Sequence, residues 1–289
     1  MTRSFRTGIL FTLPAILVVA LVLVWPATQT ALLSMGKNST SVFHDFQWAG
    51  LSNYRQLYET ERFRTALRNT VEFAAVTVPF ELVFGMWLAL ILNRATRGRG
   101  ILRLAILFPW ALPTALNALM WRWMFNTEFG LLNSALQKMG LITERINWLG
   151  SIHQSMHSMM AVSIWKTSSF MALLLLAGLQ TIPNDVYEAG IVDGTNRWTQ
   201  FRYLTLPLLR PAIMVALLLR TMDALRAFEL PFNLTDGGPL TSTETLSLYS
   251  YRLIFQYVNF NRGSAAIIVQ FAIIMTISVF YIWAMRTEN

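Results

Sequence analysis

An all-α, polytopic membrane protein with six transmembrane helices is the architecture to expect of this chain. Its 289 residues are 54% hydrophobic and only 13% charged, about half the charge usual in a soluble domain. The mean hydropathy is +0.45. Six apolar segments, at approximately 8–32, 71–92, 101–125, 156–179, 208–230 and 263–285, are each long enough to cross about 30 Å of hydrocarbon as a helix. Composition also narrows function. Cysteine is absent, which excludes disulfides and thiolate metal sites. His44, His153 and His157 lie in no carboxylate cluster, so no metal site is expected. The formal net charge is +8, but the basic residues flank apolar segments and form no stripe. That placement fits anionic lipid headgroups and argues against nucleic acid.

The segments follow one another with short polar connections. The first, 8–32, is too long for the apolar core of a secretory signal and has no small-x-small site after it; it is expected to stay in the membrane. The second, 71–92, carries Glu72, placed at an interface, and Glu81, expected to pair inside the bundle. A short connection then concentrates Arg94, Arg97, Arg99 and Arg103 without an acid among them. With Arg3 and Arg6 before the first span, this run marks the cytoplasmic side. The opposite side carries as many bases over twice the length, mixed with acids such as Glu59, Glu61, Glu128 and Glu144. Six spans then put both termini in the cytoplasm. Trp25, Trp121, Trp123 and Trp283 fall near span ends, as an aromatic belt requires. External loops at roughly 33–70, 126–155 and 231–262 are too short for independent domains, so residues 1–289 form one transmembrane domain.

One cytoplasmic connection, 180–210, is not built like a loop. Tyr187 to Pro211 is a polar island with punctuation at both ends. Asn184 and Asp185 after Pro183 read as a helix start, Gly194 as a stop, and Leu206-Pro207 as a second break. Two helical turns are more than a connection needs, and they suit an element that a soluble partner grips. Ala189 and Gly190 offer little side chain, which lets a partner approach the backbone. Glu188 and Asp193 can offer charge-assisted contacts to a basic groove. Trp198, Phe201 and Leu204 recur every three residues as an apolar edge.

The spacing resembles the cytoplasmic EAA loop of the permeases of bacterial ABC importers: Glu-Ala-Ala, three residues, Gly, nine residues, Ile-x-Leu-Pro. It stands here as Glu188-Ala189-Gly190, Gly194 and Leu204-Thr205-Leu206-Pro207, departing at Gly190 and Leu204. The stretches beginning Val162-Ser163-Ile164-Trp165 and Leu217-Leu218-Leu219-Arg220 are similar to the carbohydrate-uptake branch, which includes maltose, trehalose and glycerol-phosphate permeases. The resemblance implies a type I importer permease fold in a bacterial inner membrane, with no catalytic residues. It implies a second, similar permease as partner, two ATPase subunits that bind ATP and Mg, and an external sugar-binding protein. Tyr187, Glu188, Ala189, Gly190, Asp193, Gly194, Leu206 and Pro207 are the implied ATPase-coupling positions. Lys166, Thr167, Phe170, Arg220, Asp223, Ala224 and Ala227 are the implied sugar-contacting positions, although their side chains mostly differ from those of the maltose permease. The chain has no G-x-x-x-x-G-K-[ST] loop, so no ATP of its own is expected.

Charges inside the spans bear on substrate. Arg220, Asp223, Arg226 and Glu229 alternate in sign every three residues, a spacing at which helix neighbours pair. Arg220 and Asp223 fit a brace between spans and a substrate contact equally well, while Arg226 and Glu229 fit the brace. In the fourth span, Lys166 needs a partner or water. Thr167, Ser168 and Ser169 beside Phe170 suit a sugar's hydroxyls and C–H face, or simple helix packing. The three cations Lys166, Arg220 and Arg226 leave room for an anionic substrate such as a uronate oligosaccharide or glycerol phosphate. The rival from another class is an intramembrane enzyme. Against it, Asp223 lies between two arginines, an ion-pair setting rather than that of a poised base.

Overall fold

The computed structural model describes residues 3–37, 46–94 and 98–286. Arg97 and the side chains of Arg3, Arg6 and Arg99 lie outside that description. The helices in chain order are α1 (Arg3–Val19), α2 (Trp25–Ser34), α3 (Ser52–Glu59), α4 (Glu61–Arg94), α5 (Arg99–Ala111), α6 (Thr114–Met124), α7 (Leu131–Lys138) and α8 (Ile152–Leu179). They continue as α9 (Asn184–Val192), α10 (Arg197–Gln200), α11 (Leu206–Leu225), α12 (Glu229–Leu234), α13 (Leu246–Tyr251) and α14 (Phe260–Arg286). Wide π turns at Ala20–Val24, Phe201–Thr205 and Arg252–Gln256 join α1 to α2, α10 to α11, and extend α13. Among the described residues five helical runs are long and apolar enough to cross a bilayer, with α5 and α6 a sixth if that bent pair is one span.

The chain divides into two compact units. The first comprises Met1–Arg64 and Tyr249–Ala272. Its Phe11–Ser34 run is apolar, and its most apolar 18-residue stretch has no buried residue, as suits a surface facing lipid. Hydrogen bonds fasten its end. Asn53 donates to the carbonyls of Ser34 and Gly36 at 2.8 Å each, and the Ser34 and Tyr54 hydroxyls stand 2.6 Å apart. A short antiparallel pair, β1 (Gly36–Lys37) with β2 (Gln47–Trp48), closes the following loop.

The second unit comprises Thr65–Leu248 and Ile273–Asn289 and is built around α4, α8 and α11. One apolar cluster joins Phe73, Val78, Met159 and Leu225. Another joins Met86, Leu92, Leu175 and Leu209, with Tyr187 and Phe201 packed against it. Trp121 sits against the first cluster, its ring 5.3 Å from that of Trp165. It therefore packs inside instead of joining an aromatic belt, whereas Trp25, Trp123 and Trp283 are exposed.

Three expectations about backbone are corrected. The 101–125 segment is no straight span, because α5 and α6 meet at 91°. Pro113 has no amide hydrogen and forces Leu112 into an extended conformation (ψ 134°), which ends α5. The fifth span runs from Arg197 to Leu225, so Glu229 belongs to a separate helix and the four-charge ladder is broken. Leu206-Pro207 is no break. Pro207 would clash with the carbonyl four residues back, at Tyr203, and that carbonyl lies in the Phe201–Thr205 π turn. The wider turn accommodates the ring, and the helix passes through.

Candidate functional site

Both breaks, α5–α6 and α11–α12, open on one cavity of about 470 Å³ in the second unit, a size that holds a small ligand. Trp110 and Thr114 come from either side of the first break. Arg226, Ala227, Phe228 and Glu229 form the second. Irregular backbone at membrane depth is tolerated where it lines a cavity, and interrupted apolar segments are pointers to a transport site.

One wall is backed by a buried ion pair. Glu81, on α4, is 0% exposed and Arg220, on α11, is 5% exposed. The Arg220 Nε donates to Glu81 Oε2 in a short contact, and its Nη2 donates to Oε1 at 3.0 Å and to the Ser163 hydroxyl at 3.0 Å. Ser163 in turn donates to Oε1 at 3.0 Å. The Thr167 hydroxyl stands 2.5 Å from Oε1 and 2.6 Å from the Ser163 carbonyl. The bidentate fork offsets the desolvation of both charges only because the remaining lone pairs are also met. Arg220 is thus a brace on Glu81, which confirms pairing inside the bundle for Glu81. The Thr167 hydroxyl is engaged by the same carboxylate.

The other charges are open. Arg226 Nη2 donates to Asp223 Oδ1 at 2.7 Å, and both side chains are more than half exposed. Arg226 and Glu229 therefore line the cavity rather than bracing spans. Lys166 donates to the Trp110 carbonyl at 3.4 Å. The Trp110 ring stacks on Phe170 with centroids 5.6 Å apart, so Phe170 supports the wall without lining it. Of the seven sugar-contact positions taken from the sequence, Lys166, Thr167, Arg220, Asp223 and Ala227 line the cavity. Ala224 does not: it is fully buried in the apolar core. Sequence reasoning missed Trp110, Ser163 and Phe228. The signal for Trp110 was available in Pro109 and Pro113, two prolines inside one apolar segment.

The 180–210 connection is a second feature. Pro183 precedes α9, and Gly194 ends it with φ +75°. Thr195 N–H donates to the Gly190 carbonyl and Gly194 N–H to the Ile191 carbonyl, both at 3.0 Å, the double closure of a Schellman cap. Asn196 then caps α10 by accepting from Thr199 N–H at 2.9 Å. The Tyr187 and Thr205 hydroxyls, 3.2 Å apart, tie α9 to the π turn. Gly190 corrects an expectation. It is buried, and a Cβ there would stand 2.9 Å from Leu204 Cδ1 and 3.0 Å from Thr195 Oγ1. Its small size serves packing within the loop, not access by a partner. Ala189, Glu188, Asp193 and Gly194 are exposed, and so are Leu206 and Pro207. Ile191 and Val192 are 64% and 87% exposed. This apolar tip was overlooked in the sequence, although two β-branched residues just before a helix stop are visible there.

Long apolar helices, one pair of them bent sharply beside a charged cavity, define an integral-membrane protein built for transport. The chain belongs to the family of binding-protein-dependent transport system inner membrane components, whose match spans residues 81–286. It is 38% identical to the trehalose/maltose transport system permease protein of Thermococcus litoralis, over 97% of this chain and 94% of that one. It is 37% identical to the sulfoquinovosyl glycerol transport system permease protein of Agrobacterium fabrum, over 98% and 91%. In fold it is similar to a chain of a bacterial ABC transporter involved in the import of the acidic polysaccharide alginate. That likeness has a TM-score of 0.84 at 25% identity, covering 98% of this chain and 97% of that one. The fold is thus the type I ABC permease fold, and the place of work is the inner membrane.

Proposed function

We propose that this chain is one of two permease subunits of an ATP-driven importer for a neutral disaccharide or short oligosaccharide. The observation that carries this reading is the charge balance of the cavity. Lys166, Arg220 and Arg226 face Asp223 and Glu229, and Glu81 neutralises Arg220 from behind. The trehalose/maltose transport named for the Thermococcus relative supports the substrate class. Trp110 and Phe228 supply flat apolar faces for the C–H surface of a sugar ring, and the open Asp223–Arg226 pair supplies acceptors and donors for its hydroxyls.

An external binding protein would deliver the sugar. Two ATPase subunits would sit on the cytoplasmic side, one of them gripping α9 by Glu188, Asp193 and the Ile191–Val192 tip. Both termini would be cytoplasmic. ATP and Mg would belong to the ATPases, and ATP binding would favour the outward-open state. Binding protein and ATP must both prefer that state, since a ligand shifts an equilibrium only by its differential affinity.

The test is ATPase stimulation in the reconstituted complex with its binding protein, comparing trehalose and maltose with a uronate oligosaccharide and glycerol phosphate. Stimulation by a neutral disaccharide alone is the expected result. Stimulation by the anionic sugars alone would overturn the neutral assignment. That outcome has an observation in its favour, since the sulfoquinovosyl glycerol relative and the alginate importer are both named for acidic cargo.

A further inference from the structure

Under the capped loop lies a second cavity, of about 810 Å³, that the sugar reading does not use. It is bounded by the end of α4, the end of α8, the start of α9, and α10 with its π turn. Arg94, on α4, and Arg197, on α10, both line it, and no carboxylate does. Neither guanidinium has an ion-pair or hydrogen-bond partner among the described residues. The amide side chains of Asn184 and Gln200 add neutral donors to the same lining. Trp198, also in the lining, is 67% exposed, and its ring lies 5.8 Å from that of Phe201.

Two guanidiniums in one lining with amide side chains and no acid suit a phosphate group, because each guanidinium offers a planar fork to two anionic oxygens. An exposed tryptophan at the end of a long apolar helix belongs at the headgroup level of a bilayer. Trp198 stands at the start of the long Arg197–Leu225 helix, and Arg94 is the last residue of the long apolar α4. We infer that this cavity binds a phosphate-bearing anion, in the first place the headgroup of an anionic phospholipid, clamped between Arg94 on α4 and Arg197 on α10. The clamp would bridge a span to the loop that carries α9, so that loop would be stiffest in an anionic membrane. The placement of this face on the cytosolic side rests on the function proposed above; the binding itself does not.

The experiment uses the whole transporter in nanodiscs of phosphatidylcholine, with or without phosphatidylglycerol, and counts phosphatidylglycerol retained per complex by native mass spectrometry. The wild type is expected to retain it. The Arg94→Gln/Arg197→Gln double variant is expected to bind it about tenfold more weakly or worse, since each arginine at a membrane surface contributes to anionic-lipid attraction. Arg94→Lys/Arg197→Lys is expected to recover part of the binding. Competition by millimolar glycerol phosphate without lipid retention would assign the same clamp to a soluble phosphate. Equal retention by wild type and the Gln double variant, with no phosphate binding in either, overturns the inference. Sugar-stimulated ATPase activity in pure phosphatidylcholine reports on the importer reading separately, so the two fail independently.

Discussion

The cavity wall and the capped loop handle charge in opposite ways. In the wall, Glu81 spends its acceptor capacity on Arg220, Ser163 and Thr167, and nothing is left to recognise a ligand. In the loop the backbone is what is secured, by the Gly194 cap and the Tyr187–Thr205 contact. The side chains of Glu188, Ile191 and Val192 are left outward. Satisfied groups hold a structure together. Unsatisfied groups on a rigid mount are available for recognition. The Asp223–Arg226 pair lies between these extremes, bonded to itself and still open to the cavity.

Four tests probe that contrast. The largest effect is expected at the wall. Glu81→Ala or Arg220→Ala strands a buried charge, at about 3–5 kcal/mol, read as a fall in thermal midpoint and in monodisperse yield in detergent. Glu81→Met/Arg220→Met should recover most of that loss, because an apolar pair of similar volume removes both desolvation penalties. Single variants as stable as the wild type would show that the wall is not a brace. Next comes Glu188→Lys. It should leave the thermal midpoint unchanged while lowering sugar uptake at least ~10-fold with ATP hydrolysis retained, as reversal of a recognition charge does. Normal uptake by this variant counts against the docking role of α9.

Gly190→Val tests whether the loop's rigidity is internal. Its side chain meets Leu204 and Thr195, and overpacking of that kind costs about 1–3 kcal/mol. Faster hydrogen exchange across 184–205 with unchanged exchange in α8 is the expected signature; uniform exchange would dismiss the packing role. The smallest stability effect belongs to Asp223→Ala, about 0–1 kcal/mol for an exposed pair, with a several-fold loss of uptake. The residue it releases is Arg226, not Arg220. Unchanged uptake removes Asp223 from the site.

Much of this was legible in the sequence. Hydropathy located every long helix, because transfer free energy sums over a segment whatever its partners. The α9 start and stop were legible because Pro183 and Gly194 act on their own backbone. What failed were features that depend on distant or compensating residues. Arg220 is three residues from Asp223 in the helix but pairs with Glu81, 139 positions away, a choice made by packing. The Leu206-Pro207 break was cancelled by a π turn in the preceding residues. Gly190 looked like an opening for a partner until Leu204 filled the space. The α5–α6 bend escaped because a window average counts Pro109 and Pro113 as two mild residues, although each removes a backbone donor.

The uninterrupted helix from Arg197 to Leu225 has one more consequence. Its 29 residues reach roughly 43 Å at 1.5 Å per residue, from the loop at one end to the cavity at the other. A tilt of about five degrees at the loop end would sweep the far end through ~4 Å for a rod of that length. The proline that looked like a joint thus sits inside a lever arm, and the gain of that arm is set by its length.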